Sequence, residues 1–148
     1  MSTSSTRLWR YFAKYALPLL LLAGAPAAAW AGSEGAALKQ VATAIEHAHF
    51  ASEGKTTSIA HLHLHHVINC LVGPKGKGFD GAVGDPCKGE GNGALNDFNG
   101  PQRERVTLEQ ALSLARIGTR LRYYEPAHHV ALAVHALLID AHKAMKGE

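Results

Sequence analysis

The stretch from residue 60 to residue 70, AHLHLHHVINC, limits the fold more than any other part of the chain. Histidine and leucine alternate from His61 to His65, which is the pattern of a strand with one polar face. The alternation breaks at His66, whereas apolar residues at steps of four, three and four form a helical seam. That seam consists of Ala60, Leu64, Val67 and Leu71. We therefore predict a helix over residues 57–71.

Three further segments have the length and the apolar spacing of helices. The first covers residues 34–52, where apolar side chains recur at helical steps. Thr107 and Gln110 form a capping-box pattern that opens a predicted helix over residues 107–124. Pro126 suits the first turn of the last helix. The apolar seam of that helix is Val130, Val134, Leu137, Ala141 and Met145. The predicted fold is all-α, a four-helix up-down bundle.

A long glycine-rich loop is predicted between the second and third helices. Residues 73–105 are dense in Gly, Pro, Asn and Asp and keep no hydrophobic period. Loops of this length are often functional, so this one is a candidate contact surface for a periplasmic protein partner. Cys70 and Cys87 would tie the loop to the second helix. An exported chain with two cysteines favours a disulfide, and a pair of thiolate metal ligands is the alternative. The spacing of the acidic residues does not match an EF-hand, which argues against calcium.

The first 31 residues have the pattern of a cleaved secretory signal peptide. A basic segment precedes an apolar run over residues 15–29, and the Ala-Trp-Ala sequence that ends at Ala31 matches a cleavage site. The apolar run is short for a membrane span, and a retained anchor is the alternative. We therefore expect a single helical domain over residues 32–148, periplasmic or secreted, with no stable membrane anchor after cleavage.

The formal charge of that domain is balanced. The chain has 15 basic and 12 acidic residues, and three of the basic ones lie in the predicted signal, which leaves 12 of each. Nothing in this balance suggests a nucleic-acid partner. All ten histidines lie in the domain, so its positive charge would rise steeply below about pH 6. One functional alternative is therefore a structural or protein-interaction module with a pH-responsive histidine-rich surface.

The histidines of the second predicted helix are spaced for metal binding. His61 and His65 are four residues apart, so both rings can face one ion on one side of the seam. His63, His66 and Cys70 fall on the other side, and a disulfide at Cys70 would leave two imidazoles there. We predict the His61/His65 pair as the centre of a metal site that a histidine of the first or last helix completes.

Histidines of those two helices are the candidate partners. His128, His135 and His142 form a stripe, and neighbours seven residues apart are separated by about 10.5 Å along a helix axis. They cannot share one ion, so each would need a partner from another helix. His47 and His49 of the first predicted helix are also candidates. Imidazole-rich sites suit copper, nickel or zinc, and the affinity order favours copper. We predict a periplasmic transition-metal binding protein for buffering, delivery or sensing.

Enzymatic functions fit the sequence less well, and no catalytic residue is predicted. Glu46 with His49, and Glu125 with His128, each match half of a di-iron bundle pattern. The second predicted helix supplies no acidic residue, which such a site requires. If HLHLH were a strand, the alternative would be a three-histidine zinc metalloenzyme.

The chain resembles the small, exported, histidine-rich metal-binding proteins of bacteria that fold as four-helix bundles. The resemblance is carried by AIEHAHFA in the first predicted helix, by HLHLHH in the second, and by the stripe of His128, His135 and His142. It implies metal sequestration or buffering outside the cytoplasm. The block from His61 through VINCLVGPKGKGFD to DPCKGEGNGALND is similar to a signature of an exported bacterial family, and this similarity implies no activity.

Overall fold

A computed structural model describes residues 27–148 of the chain, with side chains from residue 33 onward. Residues 1–26, and with them most of the predicted signal peptide, lie outside the described part. The regular structure of residues 27–148 consists of five α-helices and one 3-10 turn, Gly81–Val83. The helices are α1 (Ala27–Glu53), α2 (Thr57–Val72), α3 (Ala94–Asp97), α4 (Gln102–Gly118) and α5 (Tyr124–Lys146). Residues 27–148 contain no strand, so the all-α prediction is confirmed.

Helix α2 forms where the apolar seam predicts it. The Thr56 hydroxyl accepts a hydrogen bond from the backbone N–H of Ile59 at 3.2 Å, which satisfies one of the free donors of the first turn. The four seam residues are fully buried in the core. Gly73 follows the helix with a φ of 70°, a conformation that favours glycine, and the Asn92 carbonyl packs where a side chain would lie. The prediction of a helix over residues 57–71 is confirmed.

Helix α4 begins five residues before the predicted capping box. Thr107 lies inside the helix, where its hydroxyl donates to the carbonyl of Arg103 at 3.1 Å. Because its hydroxyl bonds to the preceding turn inside the helix, Thr107 does not cap the N-terminus of α4. The predicted start of this helix at Thr107 was therefore wrong. Helix α4 also ends earlier than predicted, at Gly118, and Pro126 lies in the first turn of α5 as expected.

The segment between α2 and α4 contains more regular structure than the predicted loop, because it includes the 3-10 turn and α3. Its first half is held by the buried side chain of Asn69. The amide of Asn69 donates to the carbonyls of Asp80 at 2.8 Å and Gly84 at 2.7 Å. Its carbonyl accepts from the backbone N–H of Asp80 at 2.9 Å. The second half is tied to α1, since Gln40 donates to the buried carboxylate of Asp97 at 2.8 Å. The segment is therefore anchored to both helices.

The four long helices pack on one another around one core. Helix α1 contacts α2 and α5, and α4 contacts the same two helices. The core-facing side of α1 is made largely of alanines, which let the neighbouring helices approach closely. These alanines are Ala37, Ala44, Ala48 and Ala51. Larger side chains of the other helices fill the core, including Leu64, Leu71, Leu108 and Leu138. Helix α1 is therefore positioned to present side chains to α2 on one side and α5 on the other.

A disulfide joins Cys70 of α2 to Cys87, with the two Cα atoms 5.3 Å apart, as predicted. Both cysteines are buried. The disulfide indicates an oxidising compartment outside the cytoplasm, because the cytoplasm keeps thiols reduced. Among the helices of the described residues, none is both long and apolar enough to cross a bilayer.

Candidate metal site

The sequence His47-Ala48-His49 on α1 directs two imidazoles toward different neighbours. Ala48 is fully buried in the core. Successive helical residues are about 100° apart around the axis, so the two histidines point to opposite sides of the buried alanine. The ring of His47 meets α2, where it contacts the rings of His63 and His66. The ring of His49 meets His135 of α5.

His63 and His66 lie on the side of α2 that faces α1. Each of them precedes a fully buried seam residue, Leu64 and Val67 respectively, so both rings lie along the same edge of the seam. With His47 they form a cluster in which one ligand atom of each residue lies within 4.8 Å of the other two. Among the described residues, this is the one group of three or more His, Cys, Asp and Glu side chains that close together.

The Nδ1 atom of His47 lies close to the Nδ1 atoms of both α2 histidines. His47 Nδ1 lies 3.0 Å from His63 Nδ1 and 3.1 Å from His66 Nδ1. Three imidazole nitrogens about 2.0–2.1 Å from one ion in tetrahedral geometry would be roughly 3.3 Å apart. The two distances from His47 are close to this value, and one ligand atom of each residue lies within 4.8 Å of the other two. The cluster could therefore hold a transition-metal ion.

A backbone carbonyl orients the ring of His66. Its Nε2–H donates to the carbonyl of Val83 at 2.7 Å, so in the neutral ring Nδ1 carries no proton and offers a lone pair. This carbonyl lies in the 3-10 turn that the Asn69 side chain anchors on either side. Histidine ligands commonly donate their second N–H to a carbonyl or carboxylate, which sets the tautomer and the orientation of the ring.

Without a metal ion, the neutral rings supply too few Nδ1 protons to make a separate hydrogen bond of each of the two short Nδ1–Nδ1 contacts. Because His66 Nδ1 carries no proton, a proton on His47 Nδ1 must serve the contacts to both His63 and His66. If the proton is on His63 Nδ1 instead, the lone pairs of His47 and His66 face each other at 3.1 Å. A cation between the three nitrogens would attract every lone pair and would remove the need for these protons.

Burial keeps His47 and His63 neutral near pH 7. Burial, followed by the neighbouring His66 and His63, lowers the pKa of His47 from 6.5 to about 4. Burial, followed by His66, also lowers the pKa of His63. A metal must displace protons from its histidine ligands, so rings with a lowered pKa bind it without that competition at neutral pH.

These displaced pKa values predict that the metal-free protein loses stability as the pH falls from about 6.5 toward 4. In that range the unfolded chain binds more protons than the folded one, so the free energy of unfolding rises with pH. The stability that is lost at low pH is fully present above about pH 6.5. For a fully buried ring, the lowered pKa of His47 would correspond to about 3 kcal/mol of the free energy of unfolding. Because the ring is half-exposed, solvent screening reduces this contribution to about 1–2 kcal/mol. Urea unfolding with a chelator at pH 5 and pH 7.5 measures this difference.

The His47→Gln variant is the control for this prediction. Glutamine does not titrate, so the stability of the variant should depend less on pH than that of the wild type. Equal pH dependence in the two proteins would contradict the assignment of the effect to His47.

His61 and His65 lie on the opposite edge of the α2 seam. His61 Nε2 donates to the carbonyl of Leu121, in the connection between α4 and α5, at 2.9 Å. His65 Nδ1 is buried without a hydrogen-bond partner in the described structure. Burial lowers the pKa of His65, against the opposing effect of Asp80, and His61 lowers it further. The two rings are thus neighbours, and their predicted bidentate site stays a prediction.

The three histidines of the α5 stripe meet three different surroundings. His128 Nδ1 donates to the carbonyl of Ser52 at 2.8 Å. His135 approaches His49, with ring centroids 5.5 Å apart. Burial and the nearby Lys146 lower the pKa of His142. The partner that joins two α2 histidines is therefore His47 of the first helix and not a member of this stripe.

The sequence contained one indication of which edge of α2 faces the loop and α1. Cys70 lies four residues after His66 on the same edge, and its disulfide brings the loop with Val83 beside the ring of His66. Local spacing could not show which histidine of the first helix joins His63 and His66, because His47 and His49 are equally plausible by spacing alone. Comparisons of the chain with protein-family models, curated proteins and solved structures find no match. The geometry of the triad therefore carries the functional argument.

Proposed function

We propose that the protein binds a late first-row transition-metal ion through His47, His63 and His66, and that it buffers, delivers or senses this ion. The observation that carries the proposal is the approach of His47 Nδ1 to the Nδ1 atoms of His63 and His66, at 3.0 and 3.1 Å, within a cluster whose three ligand atoms lie within 4.8 Å of one another. The bond from His66 to the Val83 carbonyl supports it, because that bond frees Nδ1 for an ion.

Copper is the metal that we favour over nickel and zinc. Imidazole nitrogens bind all three ions, and Cu²⁺ has the highest affinity for such a ligand set among the divalent ions of the series. Both cysteines are joined in a disulfide, so they offer no thiolate to shift the preference toward softer ions. The triad is made of nitrogen ligands alone, which suits the divalent state.

We place this function in the periplasm or outside the cell. The disulfide and the predicted signal peptide support this location, and so does the resemblance to exported histidine-rich proteins. We further propose that α1, α2, α4 and α5 form an up-down bundle, and that the segment of residues 73–101 is the surface that contacts a protein partner. The anchoring of that segment to α1 and α2 supports a defined surface.

Metal titration tests the proposal. The purified protein, made without a histidine tag and stripped with a chelator, is titrated with Cu²⁺, Ni²⁺ and Zn²⁺ and followed by calorimetry. We expect one tight equivalent, held most tightly for Cu²⁺, with the nitrogen ligands visible in its electron paramagnetic resonance spectrum. No saturable binding of any of the three ions would reject the proposal and favour the pH-responsive interaction module.

A three-histidine zinc enzyme is the second candidate function. Three protein ligands are the set that catalytic zinc sites use, with the fourth position left for water or substrate. The three rings are half-buried and therefore leave the cluster accessible from solvent. Hydrolysis of an activated ester by the zinc-loaded protein, measured against a variant with His63→Ala and His66→Ala, tests this candidate.

A further inference from the structure

A second pair of imidazoles lies on the other side of α1. His49 follows Ala48 and His135 follows Val134, and both preceding residues are fully buried between the helices. Each histidine is thus one residue past the core, which brings both rings to the same edge of the contact between α1 and α5. Their centroids are 5.5 Å apart, and the ring planes are inclined by 37°.

This spacing is the one expected of two imidazoles on a single ion. The centroids of the triad rings are 4.6, 5.3 and 5.5 Å apart, so the His49/His135 pair falls within the same range. Two rings bound at about 2.0–2.1 Å with a ligand–metal–ligand angle near 110–120° would place their centroids roughly 5–5.5 Å apart. The separation of the two ring centroids is therefore compatible with one shared ion.

We propose that His49 and His135 form a second, weaker metal site, which bridges α1 and α5 and takes a divalent late first-row ion, with Cu²⁺ bound most tightly. His49 is exposed and His135 half-buried, so water would complete the coordination of the ion. Burial, followed by the neighbouring His49, lowers the pKa of His135 and so keeps its lone pair free near neutral pH. The site is weaker than the triad because it supplies two imidazoles instead of three.

This site is separate from the proposed function of the triad. His47 and His49 point to opposite sides of α1, so one ion cannot bind both. A chain with both sites holds two ions, and the second ion crosslinks α1 to α5. The proposal would stand even if the triad bound no metal.

Copper titration of single variants tests the second site. The tag-free, metal-free full chain should bind two equivalents of Cu²⁺, the second at least about tenfold more weakly. Loss of an outer-shell partner alone can weaken metal binding by that factor, so the loss of a whole imidazole ligand should weaken it at least as much. His135→Ala should remove the second equivalent and leave the first unchanged. His49→Ala, on the other helix and at an exposed position, should do the same, so a folding defect of one variant cannot produce the result.

The matched control is His142→Ala, which removes one imidazole from the same stripe of α5. The charges that act on His142 are those of Lys146 and Glu148, so this variant should keep both equivalents. Two equivalents in both His135→Ala and His49→Ala, or a single equivalent in the wild type that both variants retain, would overturn the second site. A variant with His63→Ala and His66→Ala tests the triad separately, because it should lose the tight equivalent and keep the weak one.

Discussion

Replacing His63 and His66 with alanine should weaken Cu²⁺ binding at the triad by more than about 100-fold. The double variant leaves His47 as a single imidazole, whereas the loss of one outer-shell partner alone already costs about 10–100-fold in metal affinity. Competition with a chromophoric chelator at pH 7.5 measures the affinity. Circular dichroism before the titration establishes that the variant is folded, which we expect because both rings are only half-buried.

The matched control is the double variant His61→Ala and His65→Ala. It removes the same number of imidazoles from the same helix, but from the edge that faces the connection between α4 and α5. Its tight equivalent should be retained within a few-fold. If this variant loses the tight ion and the His63/His66 variant keeps it, the site lies on the opposite edge of α2 and the triad is not the binding site.

Replacing Cys70 and Cys87 with serine should lower the free energy of unfolding by about 3 kcal/mol. The disulfide closes a loop over a sequence separation of 17, and a loop of about this size has that value in the chain-entropy model. The midpoint of urea unfolding, measured on metal-free protein, should therefore move to lower denaturant concentration. The two serine hydroxyls would also be buried where the sulfurs were, which adds to the loss.

The same variant should bind Cu²⁺ about tenfold more weakly. Loss of the bond loosens the segment that carries the Val83 carbonyl, and this carbonyl orients His66. Wild-type protein treated with a thiol reductant is the control, because it should unfold at about the same urea concentration as the variant. A variant as stable as the oxidised wild type would show that the hydrogen bonds of Asn69 and Gln40 hold the segment without the disulfide, and would contradict the assigned role of the disulfide.

Helix α2 shows what could be read from local spacing. Its seam is a property of the segment itself, since apolar residues at steps of three and four share one side of any helix. The capping residue Thr56 and the terminal Gly73 also act within the segment. The start of α4 shows where the same reasoning fails. Thr107 and Gln110 match a capping box, but the segment from residue 102 continues the helix toward the N-terminus, and the Thr107 hydroxyl then bonds inside it.

The sequence by itself predicted that the chain is helical, that a disulfide between its two cysteines is favoured over a pair of thiolate metal ligands, and that imidazoles line both edges of the α2 seam. It also placed His47 and His49 on the first predicted helix as candidate partners of these imidazoles. The tertiary structure alone decided which edge of α2 faces α1, and hence that His63 and His66 meet His47 while His61 bonds the Leu121 carbonyl. Helical periodicity depends on neighbours within a few residues, whereas the third ligand comes from another helix whose position is set by the packing of the whole core.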